Sequence, residues 1–181
     1  LVMGKEVFSQ ISGALTPFRN LVAQALRWRR PRLNPRLTQA WGVLERRPLS
    51  TFMEAVPEHR LAPDDTFEDA VRLFDEHGLE FLCVLDQDGR LQGVITRNEL
   101  FEAFAQGKTA ATKVRDFMKA DPVVVTPNEP SLMGGDEMNR HDLDWLPVVE
   151  DKGSRRLVGV IRSERMLRHL VSHLTGGPAS N

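Results

Sequence analysis

The last two-thirds of this chain carry one pattern twice, and that repetition limits the possible folds more than any other feature. Phe52-Met53, Pro63, Phe74, His77, Leu79, Val84-Leu85 and Gly93-Val94-Ile95 return as Phe117-Met118, Pro127, Met138, His141, Leu143, Val148-Val149 and Gly159-Val160-Ile161. The offset is 65 residues at Phe52/Phe117, 64 at Pro63/Pro127 and 66 at Gly93/Gly159, so the two copies differ by short length changes in loops. A period this long exceeds a solenoid unit and describes a duplicated small α/β module. Two such modules facing each other enclose a cleft with pseudo-twofold symmetry, the kind of place where small ligands sit.

Local patterns give each copy its elements. Thr66 is an N-cap for a helix with Glu68 and Asp69 in its first turn and Val71, Leu73 and Phe74 following. Phe81-Leu82-Cys83-Val84-Leu85 is a continuous apolar run, as in a strand buried on both faces. Asp86-Gln87-Asp88-Gly89 supplies a turn, and Leu91 to Thr96 forms the returning strand. Asn98 to Gln106 then has the spacing Leu100, Phe101, Phe104 of a packed helix. The second copy repeats this order with one conflict: Gly134-Gly135 fall inside its expected helix. Each costs about 1 kcal/mol against alanine there, so either the helix frays or a backbone approaches it closely.

Composition sets outer limits. The chain has 181 residues, enough for one paired module plus an appendage. It contains no apolar run of transmembrane length. Cys83 is the only cysteine, which excludes an internal disulfide and suits a cytoplasmic location; within an apolar strand it reads as a small buried residue. The net charge of −1 hides a split: residues 1–48 hold nine Lys/Arg and two Asp/Glu, whereas the remainder holds fifteen and twenty-three. The basic part reads as amphipathic helices, one opening at Thr16-Pro17 with Phe18, Leu21, Val22, Ala25 and Leu26 on one face, the next at Asn34-Pro35 with Leu37, Trp41 and Leu44. Such helices either pack on the module or across a dimer, or lie against an anionic membrane surface through residues 17–36 at its cytoplasmic side. Nucleic acid is a poor third partner, because no helix-turn-helix or RNA-binding signature accompanies the arginines. The opening Leu1-Val2, without methionine, fits a piece of a longer protein or an artificial cloning scar before Met3.

The ordered series Leu82-Cys83-Val84-Leu85-Asp86-Gln87-Asp88-Gly89-Arg90-Leu91-Gln92-Gly93-Val94-Ile95-Thr96-Arg97-Asn98-Glu99-Leu100, partly repeated by Leu146 to Glu150 and Leu157 to Arg165, resembles the cystathionine-β-synthase (CBS) domain. The resemblance covers roughly residues 48–173 and implies an α/β (α+β) fold of two β-α-β-β-α repeats packed with pseudo-twofold symmetry. Its expected divisions are a basic helical segment over 1–47, a first repeat over 48–107, a linker and second repeat over 108–173, and a flexible tail over 174–181. It also implies a non-catalytic regulatory unit that binds an adenosine nucleotide (AMP, ADP or ATP) between the repeats, and a homodimer formed through their helices. A basic segment leading into such a pair resembles the cytoplasmic tail of chloride-channel-family proteins, which implies attachment to a membrane transport domain.

Within that resemblance the closing Thr contacts phosphate and the carboxylate three residues on accepts ribose hydroxyls. A threonine where a strand gives way to a helix has backbone N–H groups and the helix dipole beside it, which favours an anion. Here the pair is Thr96 and Glu99, with Asn98 between them; the longer glutamate departs from the family's aspartate. In the second copy the positions are Arg162 and Arg165, followed or separated by Ser163, so the carboxylate is missing. The two arginines either grip phosphate or are solvated residues of a site without ligand. The adenine slot would involve Val56 and Val123 in the segments Ala55-Val56-Pro57 and Pro122-Val123-Val124. The alternative function is a ligand-free homodimerisation scaffold. No catalytic or metal motif is present. His77 and His141 recur at equivalent places, and Asp64-Asp65 and Asp142/Asp144 read as capping or loop carboxylates.

Overall fold

The computed structural model describes residues 47–166, 168 and 169. The basic helices and the tail expected from the sequence lie outside the described residues. The first repeat contains β1 (Arg60–Leu61), α1 (Phe67–His77), β2 (Phe81–Leu85), β3 (Leu91–Thr96) and α2 (Arg97–Ala105). The second contains β4 (Lys119–Ala120), α3 (Ser131–His141), β5 (Trp145–Val149) and β6 (Leu157–Arg162), followed by helical residues at 163–166, 168 and 169. The mixed α+β class and the duplicated order are therefore as expected.

Hydrogen bonding makes the symmetry explicit. β2 and β3 pair antiparallel with Thr96 opposite Phe81, and β5 and β6 pair with Arg162 opposite Trp145. β1 runs parallel to β2 with Leu61 opposite Val84, and the second copy reduces this to a single bridge, Val125 opposite Val148. All five residues of β2 and of β5 are buried, which accounts for their unbroken apolar character.

The lead-in of each repeat serves the other repeat. Glu54 forms an antiparallel bridge with Val160 on β6, while β4 pairs with β3, placing Lys119 opposite Val94. The 3-10 turn Leu49–Thr51 docks on the start of α3, with Leu49 N–H donating to Glu129 O at 2.9 Å. Its counterpart Val114–Asp116 docks on the start of α1, with Val114 N–H donating to Asp65 O at 2.8 Å. Leu49 and Phe52 consequently complete the core around Met138, Leu146, Val148 and Ile161, and Val114 completes the core around Phe74, Leu82, Val84 and Ile95. A third cluster, with Phe81, Cys83, Val94, Trp145, Val149 and Val160, belongs to both repeats. At its centre the rings of Phe81 and Trp145 stack 3.6 Å apart at 11°.

Two glycines permit the exchange. A Cβ on Gly159 would lie 2.3 Å from Glu54 O, and one on Gly93 would lie 2.6 Å from Met118 Sδ and 2.9 Å from Lys119 O. The Gly134-Gly135 conflict also resolves here. α3 is continuous, and Gly134 is buried where a Cβ would come within 2.7 Å of Leu49 Cδ2, so close approach explains it. Its neighbour Gly135 has no such contact.

One expectation is overturned. α2 packs through Ala103 and the half-buried Leu100, whereas Phe101 and Phe104 are 72% and 71% exposed. The apolar spacing identified the helix correctly but not which residues face this chain's own core.

Candidate functional site

Thr96 ends β3 and caps α2, so its position follows from two local rules: extended backbone at the N-cap and a side-chain oxygen for the first free N–H groups. Its Oγ1 accepts from Asn98 N–H at 3.2 Å. The Glu99 carboxylate turns back to accept from Thr96 N–H at 2.8 Å and from the Thr96 hydroxyl, completing a capping box. The same device occurs at Thr66 and Asp69 on α1. The carboxylate assigned to ribose is thus engaged locally, and what α2 offers outward is its N-terminal dipole and the edge of the Thr96 turn.

These residues line a cleft of about 780 Å³ between the repeats, within the size range of small-molecule sites. One wall consists of Val94, Thr96, Arg97, Asn98 and Glu99 from the first repeat; the other has Lys119, Pro122 and Val123 from the second repeat's lead-in. The loop joining α3 to β5 closes it with His141, Asp142, Leu143, Asp144 and Trp145. Asp142 holds the left-handed conformation at the C-cap of α3 (φ 53°), as Gly78 does after α1 (φ 59°), and both positions border the cleft.

The electrostatics are uneven. Arg97 and Lys119 are exposed cations with no salt bridge among the described residues. Carboxylates also border the cleft: Glu99 is held in the cap, Glu80 faces Arg162, and Asp142 and Asp144 stand in the closing loop, where Asp144 accepts from Ser163. Two cations beside a helix N-terminus form a place for an anion, and Val94, Pro122, Val123 and Trp145 form an adjoining apolar wall.

Of the residues expected at the site, Thr96, Asn98, Glu99 and Val123 are brought together here, and Val56, Arg162 and Ser163 are not. Val56 packs against the shared central core. Ser163 donates through N–H to Asp144 O at 2.8 Å and through Oγ to Asp144 Oδ1 at 3.4 Å, tying the end of β6 to the closing loop. Arg162, the counterpart of Thr96, is the last residue of β6 and not a helix residue. Its Nε lies 3.5 Å from Glu54 Oε2, its Nη1 lies 3.4 Å from Glu80 Oε2, and its guanidinium carbon sits 5.4 Å from the Phe81 ring centroid. Arg165 is simply exposed.

Sequence reasoning missed Arg97, Lys119, His141 and Trp145 as cleft residues and read Asp142 and Asp144 only as capping or loop carboxylates. The available signal was the repeat itself: Lys119 corresponds to Glu54 and Trp145 to Phe81, so each could have been placed by symmetry about the Thr96 end of β3. No group of three or more potential metal ligands occurs among the described residues. Cys83 is buried, and burial pushes its thiol up to about 12, which leaves it inert. No helix among the described residues is long and apolar enough to cross a membrane.

The CBS domain family matches residues 55–106 and 114–172, which together are more than half of the chain. A homoserine O-acetyltransferase of Methanococcoides burtonii is 31% identical over 103 residues, or 57% of this chain and 20% of that protein. The chain spans about a fifth of the length of the first curated relatives it matches. Among solved structures, CBSX2 in complex with AMP has a TM-score of 0.60 at 24% identity, covering 70% of this chain and 97% of that one. The CBS domain of a bacterial CNNM/CorC family Mg2+ transporter in complex with ATP has a TM-score of 0.60 at 19% identity, covering 79% and 97%. These structural likenesses concern the fold. With two family matches in tandem, exchanged lead-ins and a cleft between the copies, the chain belongs to the CBS domain family.

Proposed function

We propose that this CBS pair is a regulatory, non-catalytic module that takes an adenosine nucleotide in the Thr96 cleft and passes the resulting change in repeat orientation to an attached transporter, channel or enzyme domain. The observation that carries the reading is the combination of Thr96 at a helix N-terminus, Arg97 and Lys119 in the same cleft without ion-pair partners among the described residues, and an adjoining apolar wall. The first group suits a phosphate and the second a base. The AMP and ATP complexes of the two fold neighbours make the same ligand class a reasonable choice. Any coupling to an attached domain is bounded by the ligand's differential affinity for the two orientations. The location we assign is the cytoplasm, at the inner face of a membrane where the attached domain is a transporter.

The test is a thermal-shift titration with AMP, ADP, ATP and S-adenosylmethionine, with and without magnesium. A ligand at about 100 times its Kd adds about 2.7 kcal/mol to stability. Thr96→Ala also loses a helix cap, so the quantity compared is the ligand-induced shift of each variant from its own baseline. The reading requires a shift in the wild type, its reduction in Thr96→Ala and Lys119→Ala, and its retention in Thr96→Ser. No shift with any of the ligands overturns it.

A second reading, a homodimerisation scaffold, draws support from Phe101 and Phe104, two large aromatic residues exposed on α2, and from the engagement of Glu99 in its cap. Sedimentation of the wild type and of Phe101→Ser/Phe104→Ser distinguishes it: a dimer that dissociates in the variant, with no nucleotide shift in either, favours the scaffold.

A further inference from the structure

The pseudo-twofold axis that creates the Thr96 cleft creates a related position at the end of β6, and different residues stand there. Where the first position has Thr96, the second has Arg162; where the first has Lys119, the second has Glu54. We infer that Arg162 is a built-in occupant of the second position, so that the chain takes one nucleotide and not two. This rests on the nucleotide reading of the first cleft.

Three observations carry it. The guanidinium is held between Glu54 of one lead-in and Glu80 of the α1–β2 connection, at 3.5 and 3.4 Å. It lies over the ring of Phe81, whose counterpart Trp145 forms the apolar wall of the Thr96 cleft. The charges are also placed differently: Glu54 and Glu80 face the Arg162 guanidinium, whereas the first cleft has Arg97 and Lys119 without ion-pair partners among the described residues, alongside Asp142, Asp144 and the capped Glu99. Arg165 stands at the place of Glu99 and brings a second cation where the first cleft has a capping carboxylate. The second position therefore carries its own cation, hydrogen-bonded through Nη1 to Glu80 and paired with Glu54 by charge alone.

Because Glu54 belongs to the first repeat's lead-in and Arg162 to β6 of the second repeat, the same side chain ties the two repeats together. The ion pair is partly exposed, with Arg162 40% and Glu54 32% accessible, so its contribution to stability is small.

Two measurements test this with the full chain. The first is isothermal titration with AMP, counting sites in the wild type and in Arg162→Thr/Arg165→Glu, which copies the Thr96/Glu99 pair into the second position. One site in the wild type and two in the double variant are expected. Two sites in the wild type, or one in both proteins, overturn the proposal. The second needs no nucleotide: a thermal double-mutant cycle of Glu54→Gln and Arg162→Gln. Each single change should lower Tm by about 2 °C, and the double variant should lose less than the sum. Strict additivity overturns the clamp. If AMP binds to neither protein and the cycle still shows coupling, the nucleotide reading fails while the placement of Arg162 stands.

Discussion

The two repeats share a backbone and differ where they face the clefts and where they exchange lead-ins. In the first repeat Thr96 is capped by Glu99, Lys119 crosses from the other repeat without an ion-pair partner among the described residues, and space remains between the walls. In the second repeat Arg162 reaches across to Glu54 and Glu80 over Phe81. Duplication thus preserved the packing, which depends on both copies, and left the cleft-facing positions free to diverge. One half of a pseudo-symmetric structure can keep an open cleft while the other is braced by an ion pair, because the core does not require the two positions to be alike.

The exchange itself is unequal, and the largest expected effect comes from it. Phe52 is fully buried in the second repeat's core, whereas its counterpart Phe117 is only half-buried against the first repeat's. Phe52→Ala should cost about 3–5 kcal/mol by urea unfolding. Phe117→Ala should cost distinctly less; equal losses would mean that the two lead-ins contribute alike.

The glycines under the exchanged strands come next. Gly159→Ala drives a Cβ against the carbonyl oxygen of Glu54, backbone that cannot move without breaking the Glu54–Val160 bridge. Gly93→Ala meets the flexible Met118 first. Both should destabilise by about 1–3 kcal/mol, with Gly159→Ala the worse. The reverse order, measured by the same unfolding experiment, would place the tighter contact in the first repeat.

A smaller difference lies at the helix starts. α1 has the Thr66–Asp69 capping box, while α3 begins at Pro130 with no side-chain cap. Thr66→Ala should cost about 1 kcal/mol by thermal unfolding, and no substitution of Pro130 removes a comparable bond. The smallest effect is a pH dependence of the same feature. The hydrogen bonds from the Thr66 side chain and backbone N–H, with Arg72 nearby, hold the Asp69 carboxyl below its ordinary value. A lowered folded value means that this contribution is complete above the unfolded value of about 4 and is lost as pH falls through the folded one. Unfolding curves followed downward from about pH 6 should show a slightly shallower acid-side loss in Thr66→Ala than in the wild type. An unchanged slope would remove Asp69 from the account.

Much of this was legible in the chain. The apolar run Phe81–Leu85, the cap at Thr66 and the returning strand ending at Thr96 obey rules acting over a few residues, and each is observed as read. The Thr96–Asn98–Glu99 turn was also visible as a helix start, and the family resemblance drew attention to it; the structure places it on one side of the cleft. Its opposite wall was not, because Lys119 and Trp145 are brought there by contacts between segments far apart in sequence. Arg162 could be read as ligand contact or solvated helix residue; the structure places it at a strand end beside Glu54, more than a hundred residues earlier.

By itself the sequence determined the duplicated module and the order and type of its elements. Those properties rest on periodicity, capping and apolar runs, which short-range sterics and burial translate directly into backbone shape. Only the tertiary structure decided which repeat each lead-in completes, that Gly93, Gly134 and Gly159 mark close approaches, that Phe101 and Phe104 face outward, and that one cleft stands open while an arginine crosses the other. The physical reason is that identical local patterns are satisfied whether a lead-in strand covers its own repeat or its neighbour, and the choice is made by packing between distant segments.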